Sequence, residues 1–313
     1  MGETVNVQPV VGAIVPVPSR ARRNWTEEDT KRANEMGSRV PSLLYRYVKI
    51  CDEQREPSPR LRGYLEATVR DSTLHFSDYA SLNDPFDGGF SLSLDADAAT
   101  KRAYWTEAGQ EHGTPTAQVE AAIKGVLDAT PEREQEFKDI VMRRFRENGA
   151  CCFTGRPDDL LAWSYYAGGH TGLCLRFRME TLFKALGQSP GGMLLEIQYQ
   201  KHYPRERFYQ PGMFNMLLAA LCTKADVWRH EAEWRLVRGQ IGEVSFPPEA
   251  LDQVILGCRI KPDDEDFVRG LVEGSKSPIQ LLRASKKEGE YGLNIEDAGP
   301  PPANRRLTVG RNL

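Results

Sequence analysis

The strand-like segments of this chain are short, and the connections between them differ widely in length. Alternating apolar and polar residues predict strands at 43–49, 72–77 and 171–177. Residues 96–146 instead carry apolar residues at helical spacing and interrupt this series. Because no internal repeat and no regular strand–helix alternation is present, a doubly wound parallel sheet is disfavoured. We therefore predict an α+β fold, a single main domain with a mixed or antiparallel split sheet and a helical insertion at 96–148.

Changes in composition divide the chain into three parts. Residues 1–40 begin with a Pro- and Val-rich stretch, which predicts a disordered arm, and continue into a short polar helix that Thr26 would cap. The main domain is predicted at 41–285, and a polar tail at 286–313. Because the helical insertion separates two site-like segments, we expect it to form a lid.

The composition is typical of a soluble globular protein and limits the partners. Of 313 residues, 40% are hydrophobic and 27% are charged, and the net charge of -3 gives no general attraction to nucleic acid. No apolar run approaches the roughly 20 residues of a membrane helix, and the N-terminus lacks a signal-peptide pattern, so we expect no membrane partner. The six cysteines form no Cys-x-x-Cys pair and have no histidine at zinc-finger spacing. This pattern favours reduced thiols, a cytoplasmic location and no bound metal.

The densest group of charged and aromatic residues lies at 224–235. It combines the carboxylates of Glu231 and Glu233 with three cationic side chains, one histidine and two tryptophans. Residues at i and i+2 share a face on a strand and point in different directions on a helix. A strand would therefore place both glutamates on one face of a site. The alternative is a solvated helix in which Glu231 forms an ordinary ion pair with Arg235.

Three further segments, around 44–47, 76–87 and 152–172, place polar residues in apolar surroundings, as the lining of a shared pocket would. Each segment also has a purely structural interpretation: tyrosines as strand aromatics, the Asn-Asp-Pro sequence as a turn, and the aromatic run as core packing. With the segment at 224–235, the candidates for substrate or cofactor binding are Tyr45, Tyr47, Ser77, Asn83, Asp84, Trp163, Ser164, Tyr165, Tyr166, His170, Lys224, Trp228 and Arg235.

Four motifs occur in a fixed order. The specific ones are Asn-Asp-Pro-Phe-Asp at 83–87 and Trp-Ser-Tyr-Tyr-Ala at 163–167. The others are Leu-Tyr-Arg-Tyr at 44–47 and Trp-x-x-Glu-x-Glu-x-Arg at 228–235. In this order they resemble DUF2971, a family of bacterial domains of unknown function, over roughly residues 42–285. The resemblance implies a soluble bacterial protein and supplies no established activity.

A second resemblance concerns the order of Arg46, then Ser164 or Tyr165, then the Glu-x-Glu of Glu231 and Glu233. This order is similar to that of ADP-ribosyltransferase-like enzymes, which carry an Arg or His on an early strand, a Ser or Tyr on a middle strand and a Glu-x-Glu on a late strand. The resemblance implies NAD as the substrate, a small-molecule nucleotide partner with an open macromolecular acceptor, and a toxin or phage-defence role.

The same resemblance implies roles for individual residues. Arg46 would bind the pyrophosphate or ribose oxygens of NAD, and Tyr165 or Tyr166 would stack on the nicotinamide. Glu233 would bind the ribose hydroxyl and stabilise the oxocarbenium ion, while Glu231 would polarise the acceptor.

Two other functions fit the same residues. In a metal-dependent hydrolase or nuclease, Asp84, Asp87, Glu231 and Glu233 would hold Mg²⁺ while Lys224 supports a phosphate. In a non-catalytic sensor or interaction module, the Trp and Tyr side chains would anchor a partner.

Overall fold

The computed structural model describes residues 26–37, 39–52, 56–186, 192–210 and 214–300. The predicted disordered arm at 1–25 and the last part of the predicted tail, 301–313, lie outside these ranges. Those two predictions therefore stay predictions.

Helices and strands follow one another in an irregular order. The first elements are α1 (Glu27–Gly37), β1 (Leu43–Val48), α2 (Pro59–Val69), β2 (Thr73–Phe76), β3 (Ser91–Ser93), α3 (Ala98–Glu111), α4 (Thr116–Leu127), α5 (Pro131–Arg146), β4 (Gly149–Thr154), α6 (Leu160–Tyr166) and β5 (Leu173–Arg178). They are followed by α7 (Met179–Leu186), β6 (Met193–Glu196), β7 (Gln198–Gln200), β8 (Arg205–Arg207), α8 (Phe214–Leu221), β9 (Thr223–Ala225), β10 (Glu233–Arg238), β11 (Gly242–Ser245), β12 (Leu251–Leu256), α9 (Pro262–Glu273), β13 (Gln280–Lys286) and β14 (Leu293–Asp297).

The chain divides into two compact units, and each contains both helices and strands. The first unit contains the described residues up to Leu44 together with those of 73–155 and 179–247. The second contains the described residues of 45–72, 156–178 and 248–300. Parallel and antiparallel strand pairs occur in both units, which confirms the α+β class with mixed pairing.

Strand β10 is the centre of the sheet in the first unit. It lies between β4 and β6 and runs antiparallel to both. The register sets Arg235 opposite Cys152 on one side and Leu195 on the other. A short parallel pair, β7 with β9, sets Tyr199 opposite Lys224. Strand pairing therefore fixes the backbone at both ends of the 224–235 segment.

The helical insertion is present as α3, α4 and α5, and it belongs to the core of the first unit. Asp97 caps the start of α3 and Thr130 the start of α5, as their side-chain oxygens predict. Trp105 is fully buried and contacts the rings of Phe137 and Phe208. The expectation of a lid is wrong because the apolar faces of these helices form part of the main hydrophobic cluster.

The second unit is built on a mixed sheet with the strand order β14-β13-β12-β5-β1. Strands β12 and β13 are parallel, whereas β12 with β5 and β13 with β14 are antiparallel. The predicted tail at 286–313 is wrong where β14 occurs. This edge strand turns only Leu293 and Ile295 toward the apolar cluster, too few apolar residues to stand out in a polar sequence.

Two further expectations concern membranes and thiols. Among the described helices, none combines the length and apolar character that crossing a bilayer requires. All six cysteines lie in the described ranges, none of them forms a disulfide there, and four are buried.

Candidate functional site

The segment at 224–235 is not one continuous strand. After β9 the chain forms a 3₁₀ helix, Asp226–Glu231, and β10 begins at Glu233. Between them Ala232 adopts the left-handed conformation with φ 43°, which costs a non-glycine residue about 1–2 kcal/mol. Neither of the two alternatives therefore forms: Glu231 ends a short helix, Glu233 begins a strand, and Glu231 pairs with Lys224 and is buried. Their carboxylates nevertheless converge, because Nζ of Lys224 donates to Glu231 at 2.6 Å and to Glu233 at 3.0 Å.

Arg235 is completely buried and fully paired. Its Nη1 and Nη2 atoms donate to the two carboxylate oxygens of Asp87, both at 3.0 Å. Nε and Nη2 donate to Glu233, and Nη1 also donates to the carbonyl oxygen of Leu221. A guanidinium group has five N–H donors, and all of them are used here. No N–H of Arg235 is left for a ligand, so its predicted role in substrate binding gives way to a positioning role.

We call Asp87, Lys224, Glu231, Glu233 and Arg235 the charge cluster. Their side chains are between 0% and 7% exposed. Burial of a charge is tolerated only where an opposite charge or several hydrogen bonds compensate for lost water. Three carboxylates against two cations give the cluster a formal net charge of one negative unit. A cationic group brought next to the cluster would therefore be stabilised.

The protonation of Glu233 follows from its neighbours. Burial raises the pKa of this carboxyl group, but Arg235 and Lys224 together outweigh burial and lower the pKa to about 2. For Arg235, burial lowers the pKa, whereas Glu233 and Asp87 reverse this effect and raise it well above the usual value. Glu233 is therefore an ionised carboxylate at neutral pH, with a guanidinium group as its permanent partner.

Aromatic side chains surround the charge cluster, and sequence reasoning missed two of them. The ring of Tyr79 lies 5.3 Å from the guanidinium carbon of Arg235, and its hydroxyl donates to the carbonyl oxygen of Leu221. The hydroxyl of Tyr199 accepts from the backbone N–H of Glu233 at 2.8 Å. Trp228, which the sequence did indicate, has its ring 5.2 Å from Nζ of Lys224. Nothing in the local sequence distinguishes Tyr79 or Tyr199 from ordinary core aromatics.

The Asn-Asp-Pro segment forms the expected turn, and this turn delivers Asp87 to the cluster. Oδ1 of Asp84 accepts from the N–H of Phe86, and the N–H of Asp87 donates to the carbonyl oxygen of Asp84. Gly88 then anchors the turn, because its N–H donates to the carbonyl oxygen of Thr223 at 3.1 Å. Oδ2 of Asp84 is buried and has no hydrogen-bond partner among the described residues.

A second group of predicted residues lies in the second unit. Tyr47 donates to the carbonyl oxygen of Arg156 at 2.7 Å and contacts the ring of Trp163 edge-on. Trp163 is fully buried, and the ring of His170 is nearly parallel to it. Tyr165 on α6 is 51% exposed. Trp163 is thus a core residue that packs against the rings of Tyr47 and His170.

The remaining predicted residues have more ordinary surroundings. Tyr45 and Arg46 are partly buried on β1, and Ser164 and Tyr166 lie on α6. Ser77 exchanges backbone hydrogen bonds with Ala150. The side chain of Asn83 is exposed. The predicted contact of Arg46 with NAD stays a prediction.

Glu233 gives a testable pH dependence. Its pKa is lower in the folded protein, about 2, than in the unfolded chain, about 4.5. Its stabilising effect is therefore complete above pH 4.5 and disappears as the pH falls toward 2. The difference in unfolding free energy between wild type and Glu233→Gln should narrow by about 2 kcal/mol from pH 7 to pH 3.

Urea denaturation at pH 7, 5, 4 and 3 measures this gap. The control is Glu243→Gln, which removes an exposed carboxylate on β11. The difference in unfolding free energy between wild type and this control variant should stay nearly constant over the same pH range. A Glu233→Gln gap that stays constant down to pH 3 would contradict the assignment.

Among the described residues, no group of three or more His, Cys, Asp or Glu side chains is arranged to hold a metal ion. In the charge cluster, the ammonium and guanidinium groups lie where the carboxylates converge. No protein-family model matches this chain, and neither a curated protein nor a solved structure matches it.

Proposed function

We propose that this protein is a cytoplasmic enzyme of the ADP-ribosyltransferase type, that it consumes NAD, and that it belongs to DUF2971. Glu231 and Glu233 are its catalytic carboxylates. The observation that supports this proposal is their convergence on Lys224, at 2.6 and 3.0 Å, from either side of a left-handed residue. A Glu-x-Glu held in this way offers two carboxylates to one reacting centre.

The charges suit cleavage of the bond between ribose and nicotinamide. That bond breaks with its electron pair leaving on nicotinamide, so positive charge develops on the ribose carbon and ring oxygen. An ionised carboxylate and a cluster with one excess negative charge stabilise this cation, and fixed groups do so without reorganising. The acceptor oxygen then bonds to the ribose carbon, and its proton passes to Glu231.

Access to the carboxylates requires movement. Glu231 and Glu233 are both almost completely buried, and the ring of Trp228 lies over Lys224. The 3₁₀ helix Asp226–Glu231 carries Trp228, and its neighbour Val227 is 74% exposed. Displacement of this short helix is the simplest motion that exposes the pair, and NAD binding would supply the free energy.

Release of nicotinamide from NAD tests the proposal. Mass spectrometry on the full chain, with and without cell lysate as a source of acceptor, should detect nicotinamide from the wild type. We expect Glu231→Gln and Glu233→Gln each to reduce the rate by about 100-fold or more, because each removes a charge that acts in the transition state.

Circular dichroism shows which variants are folded, and only folded variants are compared. Glu243→Gln is the matched control, and we expect it to release nicotinamide at the wild-type rate. The proposal fails if the folded wild type releases no nicotinamide under either condition. It also fails if both folded glutamine variants retain the wild-type rate.

A further inference from the structure

Two side-chain hydroxyl groups hold the turn between the two glutamates of the charge cluster. The hydroxyl of Thr154, on β4, donates to the carbonyl oxygen of Glu231 at 2.7 Å. The hydroxyl of Tyr199, on β7, accepts from the backbone N–H of Glu233 at 2.8 Å. Ala232, the residue between these two hydrogen bonds, is left-handed with φ 43°. The two hydroxyls therefore contact the backbone on either side of a left-handed residue.

This turn depends on side-chain support. A residue other than glycine rarely has a positive φ, and the conformation persists only where surrounding contacts impose it. The backbone itself contributes a weak bond, since the N–H of Ala232 donates to the carbonyl oxygen of Arg229 at 3.3 Å. The bonds made by the Thr154 and Tyr199 hydroxyls are shorter. These two hydroxyls are therefore among the contacts that impose the left-handed conformation.

Tyr199 also connects the three elements that carry the charged groups. It lies opposite Lys224 in the parallel pair of β7 with β9. Its carbonyl oxygen accepts from Nη2 of Arg229 in the 3₁₀ helix at 3.3 Å, and its ring lies 5.7 Å from the guanidinium carbon of that residue. Its hydroxyl binds the first residue of β10, Glu233. Tyr199 therefore fixes the backbone from which these side chains extend.

The two carboxylates converge only while the turn keeps this shape. Nζ of Lys224 donates to Glu231 at 2.6 Å and to Glu233 at 3.0 Å. Hydrogen bonds of this kind have a narrow range of length, so a small rotation at Ala232 would break one of the two. The spacing of the carboxylates around Lys224 therefore follows from the conformation of one residue.

We propose that Tyr199 and Thr154 are positioning residues, whose hydroxyls hold the carboxylates of Glu231 and Glu233 at the spacing at which both act on one centre. They work through the backbone of the turn and not by contact with the substrate. The effect on the reaction rests on the proposed function. The effect on the carboxylates around Lys224 does not, so it can be measured separately.

Nicotinamide release by the full chain tests the effect on the reaction. We expect Tyr199→Phe and Thr154→Val to lower kcat by about tenfold, because misplaced catalytic groups slow the chemical step. KM for NAD should stay within about twofold of the wild-type value, since neither hydroxyl binds substrate. Thr154→Ser keeps the hydroxyl and should restore the rate. The matched control is Tyr203→Phe, which removes the hydroxyl of a tyrosine that is 50% exposed and should leave the rate unchanged.

Chemical labelling tests the effect on the carboxylates without using NAD. Acetic anhydride should acetylate the buried, paired Lys224 slowly in the folded wild type, and mass spectrometry measures the rate relative to the exposed Lys201. We expect Lys224 to react about tenfold faster in Tyr199→Phe and in Thr154→Val, because the turn opens more often. The reactivity of Lys201 should not change. Circular dichroism limits the comparison to folded variants.

The two measurements separate this inference from the proposed function. If the wild type releases nicotinamide and both variants keep its kcat, the positioning role is overturned while the proposed function stands. A Thr154→Ser variant as slow as Thr154→Val also overturns it, since the hydroxyl is then not what matters. If the wild type releases no nicotinamide, the proposed function fails and the labelling decides: faster labelling of Lys224 in the two variants supports the positioning role, and wild-type labelling rates overturn it.

Discussion

Arg235→Met should lower the free energy of unfolding by about 3–5 kcal/mol, the cost of removing one partner from a buried ion pair. Methionine fills much of the same space, so the loss is mainly electrostatic. Without the guanidinium group, the Asp87 carboxylate loses both of its 3.0 Å hydrogen bonds, and among the described residues it keeps one ion pair, with Lys224 at 3.9 Å. Glu233 loses two of its hydrogen bonds as well. Urea denaturation at pH 7 measures the loss.

The matched control is Arg229→Met. Arg229 also pairs with an aspartate, Asp226, but its side chain is 66% exposed. Exposed pairs contribute about 0–1 kcal/mol, so this variant should be nearly as stable as the wild type. The double variant Arg235→Met with Asp87→Asn should lose less than the two single losses added together, because the amide no longer leaves a buried charge unpaired. Equal losses in Arg235→Met and Arg229→Met would contradict the electrostatic role of the cluster.

Local structure could be predicted from the sequence where one short segment determines it. Helical spacing at 96–146 predicts the helical region, although the sequence predicts two helices there and the structure has three, α3 to α5. The Asn-Asp-Pro sequence predicts the turn that starts at Asp84. Likewise, the density of charge and tryptophan at 224–235 indicates where the charge cluster forms. For the helices and the turn, the interactions that decide the structure lie within a few residues of one another.

The rest depends on partners distant in the chain. Asp87 and Arg235 are 148 positions apart, so their pairing cannot be seen in either local sequence. The turn that separates Glu231 from Glu233 is held partly by Thr154, whose hydroxyl donates to the carbonyl oxygen of Glu231. Strand β14 was missed because its neighbour β13, not its own composition, makes it a strand. Tertiary contacts outweigh local preference at these positions.

Gly88→Ala should destabilise the protein by about 4 kcal/mol, through strain in the left-handed region and overlap with a neighbouring backbone. Gly88 has φ 66°, and a Cβ atom added there would lie 2.4 Å from the carbonyl oxygen of Ala220. That oxygen belongs to the backbone of α8, which cannot move aside as a flexible side chain would. The turn must shift instead, and it carries Asp87 away from Arg235.

Gly113→Ala separates the effect of backbone strain from the effect of overlap with a neighbouring backbone. Gly113 has nearly the same φ, 63°, but a Cβ atom there would have no neighbour within 4 Å. It should therefore show only the backbone strain, about 1–2 kcal/mol. Denaturation of both variants in urea gives the difference, and the excess loss in Gly88→Ala measures how tightly the turn is packed against α8. If the two variants lose the same stability, the turn has room to adjust, and the close approach that positions Asp87 is not what holds the charge cluster together. A larger loss in Gly88→Ala that is reduced when Arg235 is already methionine would show that the glycine acts through the pair of Asp87 and Arg235.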